Sequence, residues 1–458
     1  MLRITPIEEK LFTELLEYND KIGLDMTFRV AGGWVRDRLM GIPCDDIDIA
    51  IDRSSGAVFT AGFITHLHGK SEEVRGYHVI ECNHEKSKHL ETASLRYMDL
   101  SIDFVALRTE EYTDTRIPTV RTGTPQEDAN RRDITINALF YNINTRAIED
   151  YTERGLPDIK NKKIRTPLDP METFLDDPLR ILRVLRFASR LSFEIVPEIL
   201  SVLNKPSLHD KLNRVVSKER VGCEIKKTLS HTGYITAIKT MAQYRIVHAL
   251  FPDVNLSFED VCAFTDTLSV LQGITDHPCT AIPSEEVYIL RIFILLQNNL
   301  HIKKGKGTLT EYVIKELLKW TKIEREKIVQ IERSLLKIDG LMGITCPEND
   351  WLVRVSRELG PHIEHSFTLY DIIQKLKKQE KINVLSVYSK ILSNGYKNIY
   401  LEKGPVECSV ILEALNIKKQ DVSKYMERST QLSIIHQTKD TEYILTLLKK
   451  EFSIPQDT

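Results

Sequence analysis

No stretch of this 458-residue sequence is apolar for long enough to cross a bilayer. Its opening, MLRITPIEEKLFTELLEYND, has neither the apolar centre of a secretory signal nor the acid-poor character of a transit peptide. A membrane role is excluded on this reading, and the opening residues are expected to form a folded helix. The expected location is cytoplasmic, with a further nuclear or mitochondrial pool left open. Paired cysteines are missing too. Cys44, Cys82, Cys223, Cys262, Cys279, Cys346 and Cys408 are odd in number, scattered, and never spaced Cys-x-x-Cys, which argues for a reducing compartment and against structural zinc. There is no excess of positive charge: 63 Lys and Arg face 65 Asp and Glu, for a formal net charge of -2. Phosphate affinity comes from Lys and Arg displacing counterions, so nucleic-acid binding has to rest on local clusters. HIKKGKG at 301–307 and KLKKQEK at 375–381 are two such clusters, although most basic runs are solvated surface. Neither a fixed-period repeat nor a low-complexity tract is evident.

What is present is a soluble, globular composition, 42% hydrophobic and 28% charged, in a chain long enough for two to four packed units. Short β-rich runs crowd the first part: FRVA, DIDIAID, YHVIEC, LETASLRY and LSIDFVALR. Beyond about residue 175 they give way to helical periodicity broken by loops such as QGITDHPCTAIPSEE, HIKKGKG and MGITCPEND. The expected fold class is α+β, a small mixed sheet with helices on it followed by an all-helical array.

In DIDIAID the alternation puts Ile47, Ile49 and Ile51 on one side of a strand and Asp46, Asp48 and Asp52 on the other. Carboxylates this close raise one another's pKa unless a cation neutralises them. Hard oxygen ligands at this spacing suit Mg²⁺, and a metal pair would activate an attacking oxygen while stabilising a leaving one. A bare Asp-x-Asp is as often a solvated acidic strand. Upstream, Gly32 and Gly33 follow an apolar run and precede a helix, so they bring backbone N–H groups toward a phosphate; alternatively they form an ordinary tight turn. In Ser101-Ile102-Asp103-Phe104-Val105 the aspartate lies opposite Ile102 and Phe104, and becomes a third carboxylate if the two strands are neighbours.

AGGWVRDRLMG followed by DDIDIAID resembles the signature of the polymerase-β-like nucleotidyltransferase superfamily. More narrowly it is similar to the class II tRNA nucleotidyltransferases and bacterial poly(A) polymerases. The likeness continues through GTPQEDANRRDITINALFYN, FLDDPLRILRVLRFASRL and SKERVGCEIKKTL in the same order, densely over residues 25–230 and weakly beyond. IDFVALRTEEYT with GTPQEDANRRD looks most like the eukaryotic, yeast-type, CCA-adding members.

The resemblance implies Asp46 and Asp48 as ligands of two Mg²⁺ ions, with Mn²⁺ a possible substitute, and Asp103 as the assisting carboxylate. It implies Gly32, Gly33, Arg36, Arg131, Arg132 and Asn137 as nucleotide-binding, and Asp133 as the sensor of the ribose 2′-hydroxyl. Asp177 and Arg180 match the residues that read the base. Cytosine and adenine both show an amino donor beside a ring-nitrogen acceptor, so a carboxylate paired with a guanidinium accepts them and rejects uracil and guanine. Asp176 stands where the family more often has Glu. Asp177 before Pro178 is equally good helix capping. Arg180, Arg183, Arg186 and Arg190 form a stripe opposite the apolar side of their helix, and Arg183 and Arg186 are counted with the nucleotide-binding residues. Ser217 through Glu224 and Lys227 match a motif that is mainly structural. The segment TEEYTDTRIPTVRTGTPQEDAN reads as loop, and in the family a flexible loop in this region is needed for the switch from C to A.

The implied architecture is a catalytic head at 1–150, a helical neck at 151–230, a helical body at 231–350 and a helical tail at 351–458. The implied reaction is template-independent addition of CCA to the 3′ end of tRNA from CTP and ATP, with pyrophosphate leaving. The tRNA is expected to be held at its acceptor stem and elbow, with no obligate protein partner. A poly(A) polymerase of the same family would share every residue named so far. A catalytically silent tRNA-binding protein is disfavoured by the intact carboxylates. An HD-type phosphohydrolase is disfavoured because His209-Asp210 lacks the further His and Asp such a site needs.

Overall fold

The computed structural model describes residues 2–80, 92–111, 119–256, 267–268, 270–379 and 382–452. Cys82, Cys262 and the end of KLKKQEK lie outside the described residues. The chain divides into two compact units, Met1–Pro252 and Asp253–Thr458.

In the first unit the opening residues do form a helix, α1 (Pro6–Ile22), started by a Thr5–Glu8 capping box with Pro6 at its first position. Glu8 is fully buried and also accepts the Trp34 indole N–H at 2.6 Å and Arg38 Nε at 3.0 Å. This ties α1 to α2 (Gly33–Leu39), the helix behind the glycine pair. The strands of the head are β1 (Phe28–Ala31), β2 (Asp46–Ile51), β3 (Val74–Ile80), β4 (Thr92–Tyr97), β5 (Leu100–Ala106), β6 (Arg108–Glu111), β7 (Thr119–Thr122), β8 (Phe140–Asn142) and β9 (Ala147–Glu149), and Lys163–Ile164 pairs with Glu194–Ile195 further on. Seven of them form one mixed sheet in the order β3-β4-β5-β2-β1-β8-β9. Only the central β2–β5 pair is parallel; the other pairings are antiparallel. One face of the sheet carries Val30, Ile47, Ile49, Ile51, Ile102 and Phe104, all buried with Leu11, Phe12 and Leu15 of α1 and with Phe59, Phe63 and Leu67 of α3 (Gly56–Gly69). Side chains alternate along a strand, so burying the isoleucines forces the aspartates between them to the opposite face.

The stretch read as loop after β5 is instead an antiparallel pair, β6 with β7, followed by α4 (Pro125–Asn130); residues 112–118 between the strands lie outside the described residues. Thr124 and Glu127 make a full capping box for α4, a Thr-x-x-Glu signal legible in the sequence. After α5 (Gly155–Lys160) come α6 (Pro170–Asp176), α7 (Leu179–Leu191), α8 (Pro197–Val202), α9 (Pro206–Val215) and α10 (Lys218–Ser230). His209 Nε2 lies 2.7 Å from the Leu203 carbonyl, while Asp210 pairs with Arg214 on the surface.

The second unit is helical, with Lys322–Met342 packed on Ile363–Leu376 and Glu348–Leu359 packed on Val422–Ile435. Arg428 and Asp350 form a buried two-pronged ion pair at 2.6 and 2.7 Å between two of these helices. HIKKGKG is a correction to the loop reading: Lys303–Lys304 and Gly307–Thr308 pair as a small hairpin. Gly305 turns it at φ +63°, a conformation that residues with a Cβ rarely adopt.

Candidate active site

The β2–β5 pairing settles the question the alternation left open. The two strands are parallel neighbours with Asp48 directly opposite Asp103 and Asp46 opposite Ser101. Asp46 and Asp48 are exposed, on the face away from the isoleucines. Among the described residues none of Asp46, Asp48 and Asp103 has a side-chain hydrogen bond or an ion pair, whereas most other acids of this unit do. Asp52 leaves the group, because its carboxylate accepts Thr27 N–H at 2.8 Å where β2 ends beside the start of β1. The walls of the cleft raise the pKa of Asp48, and repulsion from Asp103 and Asp46 raises it further against the pull of Arg132. Three unpartnered carboxylates at adjacent register positions fit a divalent cation, which would remove that penalty. Among the described residues the one trio whose ligand atoms converge within 4.8 Å is Glu14, Glu17 and His66. There the Lys70 ammonium already bonds both glutamates, so that cluster is an ion-pair network.

Gly32 has φ +64°, and a Cβ there would stand 2.6 Å from Arg132 Nη1 and 3.1 Å from the Asn137 carbonyl. Glycine is required for this close approach. Its own N–H goes to the Leu139 carbonyl at 2.9 Å, so any phosphate contact falls to the following first-turn N–H groups of α2, which have no intrahelical acceptor.

The arginines are braced by buried acids that sequence reasoning missed. Asp128 on α4 accepts Arg131 Nε at 3.0 Å and Arg132 Nη2 at 2.7 Å. Burial pushes the Asp128 carboxyl up, but Arg132 and Arg131 together hold it below its ordinary range. The i,i+3 and i,i+4 spacing of Asp128 to these arginines was available as a signal. Glu110 on β6 accepts Arg131 Nη1 at 3.0 Å and lies 3.8 Å from Arg180 Nη2. Glu224 on α10 is buried and takes Arg186 Nε at 2.6 Å and Arg183 Nη1 at 3.5 Å. Its motif was read as structural, and it is what aims the stripe. Arg36 is clamped by Asp37 at 2.8 Å and by Asn137. Arg36, Arg183 and Arg186 surround the Phe187 ring at 5.0, 5.5 and 4.2 Å. Exposure separates roles: the side chains of Arg132 and Arg183 keep 20% and 33% of their surface in solvent, whereas Arg36 and Arg186 keep 4% and 6%. The first two can touch a ligand, and the latter two hold the wall.

Asp133 is buried, with Oδ2 accepting Arg183 Nε at 2.8 Å and Oδ1 accepting Asn137 Nδ2 at 3.1 Å. Burial raises its pKa, and Arg183, Asn137 and Arg180 lower it further than burial raises it. It is therefore a fixed, ionised acceptor. Asp177 ends α6 and precedes Pro178, which holds the cap position of α7; its Oδ1 accepts Leu179 N–H at 3.2 Å, and its other oxygen accepts Arg220 Nη2 at 2.6 Å. Arg180 is buried with Nη1 donating to the Thr173 carbonyl at 3.2 Å. Partial burial raises the pKa of Asp176, with Arg180 opposing.

Residues 28–165 match the family of the Poly A polymerase head domain. A tRNA nucleotidyltransferase of Schizosaccharomyces pombe is 33% identical over 417 residues, 88% of this chain and 77% of that protein. The chain belongs to the tRNA nucleotidyltransferase family. A mitochondrial CCA tRNA nucleotidyltransferase of Candida glabrata is 46% identical over 231 residues, 49% of this chain. That match spans 44% of the Candida protein, and a match to the Saccharomyces cerevisiae counterpart spans 48% of it, so the chain aligns with about half the length of these two relatives. In fold, the chain of this tRNA nucleotidyltransferase family member is similar to a CCA-adding enzyme in its apo form, with a TM-score of 0.66, 20% identity, and coverage of 98% of this chain and 97% of that one. Among the described residues no helix is long and apolar enough to cross a membrane.

Proposed function

We propose that this chain adds C, C and A to the 3′ end of tRNA, using CTP and ATP and no template. The observation that carries the reading is the register of Asp48 against Asp103 beside Asp46, three unpartnered carboxylates on the open face of the sheet. Asp46 and Asp48, with Asp103, are the residues that would hold two Mg²⁺ ions or Mn²⁺, which when bound activate the attacking 3′-hydroxyl and neutralise charge on the nucleotide phosphates. Arg132 and Arg183, braced by Asp128 and Asp133, present guanidinium edges to the phosphates. Asp177 and Arg180 select the base, Arg180 turning its buried guanidinium from the Thr173 carbonyl to meet it. The protein contributes positioning and charge, and needs no covalent intermediate.

The proposed division is a head to about residue 150, a neck to 230, and a body and tail that hold the tRNA acceptor stem and elbow. Two relatives are named mitochondrial, and a mitochondrial pool beside a cytoplasmic one is part of this reading. The test is incubation with tRNA lacking its 3′ CCA and each labelled nucleotide separately and together. Addition of C, C and A in that order, stopping there, is expected. Long tails from ATP alone would make the chain a poly(A) polymerase, and absence of pyrophosphate release would make it a silent binder.

Asp133 gives a separate expectation. Asp133→Ala should lose preference for CTP over dCTP, because a hydrogen bond to a charged acceptor contributes about 1.5 to 3 kcal/mol, or roughly 10- to 150-fold. The variant also strips Arg183 of a counter-charge, so the ratio of kcat/KM for the two nucleotides is the readout, since lost stability does not move it. An unchanged ratio would leave Asp133 as a brace for Arg183 alone.

A further inference from the structure

The sheet has two sides to its carboxylates, and the nucleotide site uses only one. Strand order puts β1 and β8 on one side of β2, and β5, β4 and β3 on the other. The groups assigned to the triphosphate lie toward β1 and β8. Gly32 follows β1, the Arg132 guanidinium sits 5.1 Å over the Phe140 ring of β8, and Arg183 bonds Asp133 next to Arg132. Nucleotidyl transfer is an in-line displacement, in which the attacking oxygen enters opposite the leaving one. Pyrophosphate leaving toward β1 and β8 requires the attacking 3′-hydroxyl to come in over β5 and β4.

One side chain of β4 is placed to meet it. Arg96 is directly opposite Ser101 of β5, which is directly opposite Asp46 of β2. Paired residues share a face, so Arg96 stands on the carboxylate face, two strand spacings or about 10 Å from Asp46. Its neighbours Leu95 and Tyr97 point the other way, into the core. Arg96 is exposed, and among the described residues it has neither an ion pair nor a hydrogen bond. The residue directly across from it on β3 is Arg75, a like charge that opposes it. Arg75 is answered by Glu73 at 3.1 Å, with Asp99 also close, and Arg96 is left without a counter-charge.

The end of an RNA brings the missing anion. Its last nucleotide carries the attacking 3′-hydroxyl and, one sugar away, a negatively charged phosphodiester. A guanidinium grips phosphate by two parallel N–H bonds, which fixes orientation as well as position. We propose that Arg96 holds the phosphodiester of the terminal nucleotide and so sets the 3′-hydroxyl over Asp103 for attack. Arg96 is then a positioning residue for the nucleophile, on a strand outside every motif that binds the incoming nucleotide. The proposal rests on the nucleotidyl-transfer reading above and adds to it how the attacking end is aimed.

The test is single-turnover addition of A to tRNA ending in CC, with excess full-length chain and saturating ATP. Two forms of that tRNA are compared, one ordinary and one whose last internucleotide linkage is an uncharged methylphosphonate. With the unaltered chain the neutral linkage should slow addition roughly 10- to 150-fold, the range for a hydrogen bond between charged groups. Arg96→Ala should slow the ordinary tRNA to a similar degree, and the neutral linkage should then cost about twofold or less, because the two changes remove one contact. Arg96→Lys keeps the charge without the fork and should recover part of the rate. KM for ATP and the melting temperature should not move in either variant. Equal losses from the neutral linkage in Arg96→Ala and in the unaltered chain overturn the proposal. So does an unaltered rate in Arg96→Ala, or no loss from the neutral linkage in the unaltered chain. A loss that appears only as a raised KM for ATP would give Arg96 to the triphosphate instead. The parent reading fails separately, if the unaltered chain adds nothing to the ordinary tRNA.

Discussion

Asp48→Asn is expected to abolish nucleotide addition while leaving the metal-free protein at least as stable as before. Activity should fall roughly a thousandfold or more, the several kcal/mol that a metal-held charge supplies. Stability should not fall, because Asp48 is an unpaired acid whose pKa is raised by the walls of its cleft and by Asp103. A raised carboxyl stabilises the fold while it is protonated, below the ordinary aspartate range, and that contribution is lost as pH climbs through the raised value. The Asn variant removes this loss, so its melting temperature without divalent ions should exceed that of the unaltered protein above this window and match it more closely below. Asp128 and Asp133 act in the opposite sense: their lowered pKa values stabilise the fold above the ordinary aspartate range, and the effect fades as pH falls. Added Mg²⁺ should raise the melting temperature of the unaltered protein at neutral pH, less so in acid, and far less in Asp48→Asn. Melting curves with and without Mg²⁺ across pH, alongside turnover, check all of this. Turnover near the unaltered level at saturating Mg²⁺ would sink the assignment of Asp48 as a metal ligand.

Asp177 carries the second large effect, and the structure makes its test sharper. Its carboxylate accepts the Leu179 N–H at the start of α7 and holds Arg220, so Asp177→Ala is expected to cost about 1 kcal/mol of stability whether or not the residue reads a base. Asp177→Asn separates the two roles. Asn accepts an N–H at a helix start as well as Asp does, yet it offers an amide donor where a base needs an acceptor, or an acceptor only when turned. With unaltered Asp177, UTP would set two acceptors face to face and, at Arg180, two donors, at a cost of several kcal/mol in a dry pocket. Asp177→Asn should therefore melt near the unaltered protein but use CTP and ATP less well, with the relative use of UTP rising tenfold or more. Single-nucleotide addition with all four nucleotides, beside a melting curve, provides the measurement. An Asn variant that still rejects UTP as before would confine Asp177 to accepting the Leu179 N–H and holding Arg220.

How far the residues alone reached can be followed at these sites. The alternation in DIDIAID and SIDFV placed Ile47, Ile49, Ile102 and Phe104 on one face and the aspartates on the other, because period two is a local property of a strand and burial of one face enforces it. The Asp177-Pro178 signal placed the start of α7 within a residue for the same local reason, although the cap position falls on Pro178 itself. The loop reading of the segment around residues 108–130 failed on strands whose pairing joins Arg108 to Thr122 and Glu111 to Thr119, beyond the reach of local alternation, and on a capping box that was there to be read.

What sequence by itself determined was which residues can share a face and what chemistry they offer: paired carboxylates, an arginine stripe, a glycine turn. Tertiary structure alone decided that β5 lies beside β2 in parallel register, so that Asp103 joins Asp48. It alone decided that Asp128, Glu110 and Glu224 come in from three elements to hold the arginines, sending Arg132 and Arg183 to the surface and Arg36 and Arg186 into the wall. A strand's pleat or a helix's turn is set by neighbours within a few residues. A buried guanidinium has to find its counter-charge wherever the fold brings one, and that partner has no fixed distance along the chain.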